Sequence, residues 1–164
     1  MRLVIVHHGD AVGPEIDPQR PLSERGRLDV ERLATDAAAR GVKPAVIWHS
    51  GKLRAKQTAE AFWRACNPFA EFSATRDLQP DDSPERMCDR LRGESRDILI
   101  AGHYPHLPRL LTLLLAAGPE RPGLRKDEAG PFPQNGVVAL VSNDEGETFS
   151  EEWRRDPRAD PTRA

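Results

Sequence analysis

The chain has 164 residues, enough for one domain with a sizeable core, and its 38% AVILMFWYC content with 12 glycines is ordinary for a globular protein. Its 24 basic and 26 acidic residues give a formal net charge of −2, which excludes bulk attraction to nucleic acid or to a membrane surface. An anion site must then be a local cluster of cations, and the two cysteines, Cys66 and Cys88, lie outside any CxxC spacing and read as thiols of a reducing, cytoplasmic compartment.

Residues 2–6 are mostly apolar and β-branched, a buried strand that runs into His7-His8-Gly9-Asp10. The chain enters this strand so early that no signal peptide is expected. Residues 12–21 form a polar loop with three prolines. Ser23 is placed to cap a helix over 24–40, whose Val30, Leu33, Ala34 and Ala37 recur at helical spacing, and Gly41 ends it. A second strand is predicted at 45–49. A second helix follows at 53–66, with Ala55, Ala59, Phe62 and Cys66 on one face, and Trp48 and Trp63 read as core aromatics. A short strand at 71–75 precedes a helix that starts at Ser83-Pro84-Glu85, with proline in its first turn and Met87 and Leu91 facing inward. Residues 97–101 are a third clear strand. Residues 106–117 are a strongly apolar helix whose leucines make a buried face, and no apolar run reaches membrane-spanning length. Residues 118–134, rich in proline, glycine and charge, read as a loop or partial lid. A fourth strand at 136–142 and an edge strand at 148–153 complete a single domain, and 154–164 read as a frayed tail. Strands that alternate with helices predict a three-layer α/β/α sandwich with a mostly parallel central sheet.

Three strand ends carry the chemistry. The first ends in His7-His8-Gly9, the second in His49-Ser50 with Arg54 in the next helical turn, and the third in Gly102-His103. Parallel strands bring such ends to one edge, where a pocket with imidazoles, a guanidinium and a helix N-terminus suits a phosphoryl group. Gly9 would let backbone amides approach that group. No metal or other cofactor is expected, because no HxxxH or CxxC spacing is present. His49 reads as non-catalytic, and His106 as at most a rim residue.

His8-Gly9, the stretch Leu53-Arg54-Ala55-Lys56-Gln57-Thr58 and Gly102-His103 together resemble the histidine phosphatase superfamily, which includes the phosphoglycerate mutases. Gly9-Asp10-Ala11 and Arg20-Pro21-Leu22-Ser23-Glu24-Arg25-Gly26 resemble its small phosphohistidine phosphatases of the SixA type. The resemblance implies the phosphoglycerate mutase-like fold and metal-independent hydrolysis. His8 would be the nucleophile, carrying the phosphoryl group as phosphohistidine. Arg54 and His103 would hold its oxygens, with His7 and Gly9 also at the phosphate. Asp10, Arg20 and Ser50 are candidates for a supporting role. Acidic residues at the next helix start nominate Asp82, ahead of Asp81 and Glu85, as the general acid.

One departure stands out. The family has arginine immediately before the catalytic histidine, and this chain has His7, which cannot grip phosphate bidentately. His7 reads equally as a phosphate ligand and as structural filler. As a ligand it would need to be held protonated by the anion, so that activity falls as pH rises through its pKa, or Arg20 or Lys52 would lend charge. The expected activity is a phosphatase acting on a phosphorylated substrate, a protein phosphohistidine above all. The alternatives are a small phosphate-ester phosphatase of the same fold, and a non-catalytic phosphate or phosphoprotein binder with a degenerate site. Neither a nucleic acid nor a membrane is an expected partner.

Overall fold

The computed structural model describes residues 1–116 and 131–158. Six strands form one sheet in the order β3-β2-β4-β1-β5-β6: β1 (Arg2–His7), β2 (Val46–His49), β3 (Glu71–Ala74), β4 (Ile98–Gly102), β5 (Val137–Val141) and β6 (Ser150–Arg155). β1 to β4 pair in parallel, whereas β5 runs antiparallel to β1 and β6 antiparallel to β5. The predicted sandwich with its mostly parallel sheet is therefore what the chain forms.

The period-2 alternation of each strand sends side chains to two faces, and each face has its own core. Leu3 and Ile5 of β1 pack with Ile98 and Ile100 under α3 (Pro84–Leu91) and α4 (His106–Ala116). Val4 and Val6 pack with Ile47 and Leu99 under α1 (Glu24–Ala39) and α2 (Leu53–Cys66). Leu107, Leu110, Leu111 and Leu114 form the buried face of α4, as their spacing predicts, with Leu115 partly buried beside them. Trp48 and Trp63 are only half-buried, and the Arg90 guanidinium lies over the Trp48 ring at 4.4 Å.

The cap of α1 is built as its sequence suggests. Ser23 Oγ accepts the Gly26 N–H at 3.0 Å and donates to Asp10 Oδ2 at 2.7 Å. A Cβ on Gly26 would stand 2.0 Å from the Asp10 carbonyl oxygen, so this helix start closes directly onto the loop after β1. β6 extends two residues beyond the predicted edge strand. Arg154 and Arg155 pair with Val138 and Val137, so they belong to the sheet and not to a tail. Residues 159–164 of the expected tail and residues 118–130 of the expected lid lie outside the described residues. Among the described residues no helix is long and apolar enough to cross a membrane.

Candidate active site

The register sets the site. Val6 and His7 of β1 lie opposite Ala101 and Gly102 of β4, and His49 of β2 lies opposite Ala101, so three strands end at one edge. β5 is reversed, so the residues before it arrive at that same edge, with Val137 opposite Val6. A hollow of about 340 Å³ opens there, and His7, His8, Asp10, Arg20, Arg54 and His103 line it together with Pro80, Tyr104, Gln134 and Asn135.

His8 has a defined tautomer. Its Nδ1 is 2.7 Å from its own neighbour's carbonyl, Gly9 O, so a neutral ring carries its proton on Nδ1 and leaves a lone pair on Nε2. Arg54 Nε donates to that Nε2 at 3.3 Å. Burial pushes His8 from its ordinary 6.5 down to about 4, opposed by the Gly9 hydrogen bond and assisted by the charges of Arg54 and Arg20. The ring therefore stays neutral at physiological pH. Arg54 sits in the first turn of α2, placed by Thr58 on the next turn, whose hydroxyl donates to the Arg54 carbonyl at 2.8 Å and accepts the Gly9 N–H at 3.0 Å.

His103 is buried with its ring centroid 5.0 Å from that of His8, and its Nε2 meets Ser50 Oγ at 2.6 Å. Its pKa is pushed down to about 3 by burial first and then by the charges of His8 and Arg54. Ser50 thus supports His103 from behind the hollow. Arg20 has a left-handed backbone, φ 50°, and its Nε donates to Val12 O at 3.1 Å, which fixes the guanidinium beside the hollow. Arg54 and Arg20 are the cations among the lining residues, and both depress His8.

Four expectations need correction. His7 is not a protonated phosphate ligand, because its Nδ1 accepts the Asn135 backbone N–H at 2.8 Å, which an imidazolium could not do. Burial, with His8 and Arg54 adding to it, pushes its pKa down to about 3. The expected fall of activity through a near-neutral His7 pKa therefore has no physical basis. Gly9 does not offer its amide to phosphate, because Thr58 holds it. Its missing Cβ instead makes room for α1, since one there would lie 2.5 Å from Val30 Cγ2. Asp82 is not among the residues lining the hollow. Its Oδ2 accepts the Gln79 N–H at 2.8 Å and closes the turn before α3. His106 is not at a rim but fully buried in α4.

Asn135 was not singled out in the sequence, and Thr58 stood there only within the stretch Leu53-Arg54-Ala55-Lys56-Gln57-Thr58, with no role of its own. Asn135 donates its backbone N–H to His7 Nδ1 and its side-chain Nδ2 to His8 O, the latter at 2.8 Å, from a left-handed turn at φ 56°. Its one sequence signal is the Asn135-Gly136 pair ahead of a strand. Among the described residues no group of three or more His, Cys, Asp or Glu is arranged to hold a metal ion.

The comparisons with known proteins agree with this fold. The sequence model of the histidine phosphatase superfamily (branch 1) matches residues 3–80. No curated protein sequence matches the chain. Among solved structures, the chain resembles the protein histidine phosphatase SixA in complex with tungstate, with 22% identity, a TM-score of 0.78 and coverage of 96% of this chain and 98% of that one. A protein described as a SixA phosphohistidine phosphatase, from Agrobacterium tumefaciens, is similar at 20% identity and TM-score 0.75, covering 95% and 97% of the two chains. The mycobacterial glucosyl-3-phosphoglycerate phosphatase bound to VO3 is similar at 15% identity and TM-score 0.61, covering 94% and 99%. At these identities the likeness speaks for the fold. By its sequence match over residues 3–80 and that shared fold, the chain resembles the histidine phosphatase superfamily.

Proposed function

We propose that the chain is a phosphatase that takes a phosphoryl group onto His8 Nε2, and that its substrate is a phosphohistidine carried on a protein. The observation that carries the reading is the His8 ring itself. Its Nδ1 is tied to Gly9 O at 2.7 Å, and its Nε2 lone pair faces the Arg54 guanidinium at 3.3 Å in a hollow also lined by His103 and Arg20.

In the free site Arg54 Nε–H occupies the lone pair that must attack phosphorus. An entering phosphoryl group competes for the guanidinium, draws it onto its oxygens and frees Nε2. The lone pair then forms the new N–P bond, while the P–N bond to the substrate imidazole breaks and its electron pair returns to that ring, which takes a proton from solvent. Water next attacks phosphorus, loses a proton to solvent, and returns the bond pair to His8 Nε2. The Nδ1–H stays on Gly9 O throughout. Fixed charge and in-line placement carry such a transfer, which asks little else of the protein.

The leaving group favours a phosphoamidate. An alkoxide must receive a proton as it departs, and a neutral imidazole is a far better leaving group. Asp10 is the carboxylate at the hollow, and its Oδ2 is already engaged by the Ser23 hydroxyl at 2.7 Å. The likeness to SixA structures supports the same substrate class. The test is turnover of a phosphohistidine-bearing protein domain against p-nitrophenyl phosphate and a panel of small phosphate esters. The expected result is a higher kcat/KM on the phosphohistidine domain. A preference for an ester reassigns the chain as a small-molecule phosphatase, and phosphate binding without turnover of either makes it a binder.

A further inference from the structure

The environment of His7 is unlike that of a cation. The ring is 5% exposed and stacks flat on Tyr104, with centroids 4.3 Å apart and planes at 3°. The titratable and charged groups around it are His8 just past the end of β1, His103 after β4, the stacked Tyr104 and Arg54 on α2. A proton added here would therefore meet positive or neutral neighbours. On its remaining side the Asn135 N–H points at Nδ1 at 2.8 Å, while Asn135 Nδ2 holds His8 O at 2.8 Å. One turn residue thus ties together the ring of His7 and the main chain of the nucleophile. A neutral imidazole that accepts at Nδ1 must carry its hydrogen on Nε2.

We infer that Asn135 is a positioning residue that locks His7 as the neutral Nε2–H tautomer, so that His7 serves as a fixed, uncharged hydrogen-bond donor to a phosphoryl oxygen where the superfamily uses an arginine. This rests on the phosphatase reading of the hollow and deepens it. A backbone N–H cannot be titrated or rotated away, so the donor is preset before any anion arrives. The positive charge lining the hollow then comes from Arg54 and Arg20, and the His7 contribution does not vary with pH across the neutral range. A single neutral hydrogen bond contributes less than a charge-assisted one.

The test uses the full chain labelled with 15N and followed by NMR from roughly pH 5.5 to 8, with and without saturating inorganic phosphate. The expected His7 signature is a protonated Nε2 and an acceptor Nδ1 in both states, with a coupling across the hydrogen bond from the Asn135 amide to His7 Nδ1. Phosphate affinity is measured alongside for the wild type, His7→Gln and His7→Phe. Glutamine offers an amide N–H at about the reach of Nε2 and should bind phosphate within about 3-fold of wild type, whereas phenylalanine should lose about 3- to 10-fold. An imidazolium signature with phosphate bound, a proton on Nδ1, or a His7→Phe variant that binds phosphate as tightly as wild type would each overturn the inference. A wild-type chain that shows the tautomer yet binds no phosphate overturns the phosphatase reading instead, and the donor role with it.

Discussion

At the residue scale, His8 and Arg54 form a couple whose members hold each other in a ready state. Their 3.3 Å contact engages the His8 Nε2 lone pair and holds the guanidinium against the hollow, where the proposed reaction needs it. Lysine at 54 keeps the charge but loses the planar fork, so Arg54→Lys should lower kcat/KM by about 10- to 100-fold, the equivalent of about 1.5–3 kcal/mol of charge-assisted bonding. Steady-state kinetics on the phosphohistidine substrate checks this, and an unchanged kcat/KM contradicts it. Gly9 has a different duty. Because an added Cβ would sit 2.5 Å from Val30 Cγ2, Gly9→Ala should destabilise the fold by about 1–3 kcal/mol, read as a lower urea midpoint at constant slope. His8 and His103 stand out in the sequence because a polar residue just after an apolar strand is conspicuous, and Arg54 because it lies in the first turn of the helix that follows the second strand end. Asn135 does not, because it acts through hydrogen bonds to residues distant in sequence, and such pairings have no local pattern; Thr58 stands in the stretch after Arg54, but its bond to the Gly9 N–H has no signal there. Asp82, nominated as the general acid, does not line the hollow: its carboxylate closes its own turn onto the Gln79 N–H.

At the scale of elements, the site depends on how α1 and β5 meet the end of β1. Ser23 is both the N-cap of α1 and the anchor of Asp10, through bonds of 3.0 and 2.7 Å. Ser23→Ala should therefore cost about 1 kcal/mol of stability, as lost caps do. It should also raise KM by freeing the Asp10 loop beside the hollow. Chemical denaturation and kinetics on the same variant check both, and a loss of stability without a change in KM would confine Ser23 to the cap. The helices and buried strands were legible from their periodicity, down to Pro84 at the first turn of α3 and Gly41 after α1. The reversal of β5 was not. Five consecutive apolar residues announce a buried strand without saying which way it runs, yet that direction brings Asn135 to the edge that holds the hollow. β6 was predicted two residues too early because Arg154 and Arg155 look like tail residues, although their side chains are tied to Glu151 and Asp36.

At the scale of the whole molecule, three imidazoles share one end of the sheet in neutral form, and burial is the largest cause for each. His7, His8 and His103 lie near 3, 4 and 3 when folded, against 6.5 for the ordinary side chain. Below about pH 6.5 the unfolded chain binds protons that the folded chain refuses, so stability should rise with pH in that range and level off above it. Melting temperature should hardly change between roughly pH 7 and 8, and should fall steadily from about pH 6.5 towards 4. A flat melting temperature from about pH 7 to 5 would contradict the neutral cluster. Activity should not fall on the alkaline side through any histidine of the site, because each is already deprotonated there.

The central claim is that the phosphoryl group passes through His8. Rapid quenching of the chain during turnover into mild alkali, followed by mass spectrometry of its peptides, reads this directly. The account predicts phosphate on His8 in the wild type and none in His8→Ala. Turnover with phosphate on another residue, or undiminished turnover in His8→Ala, would contradict it.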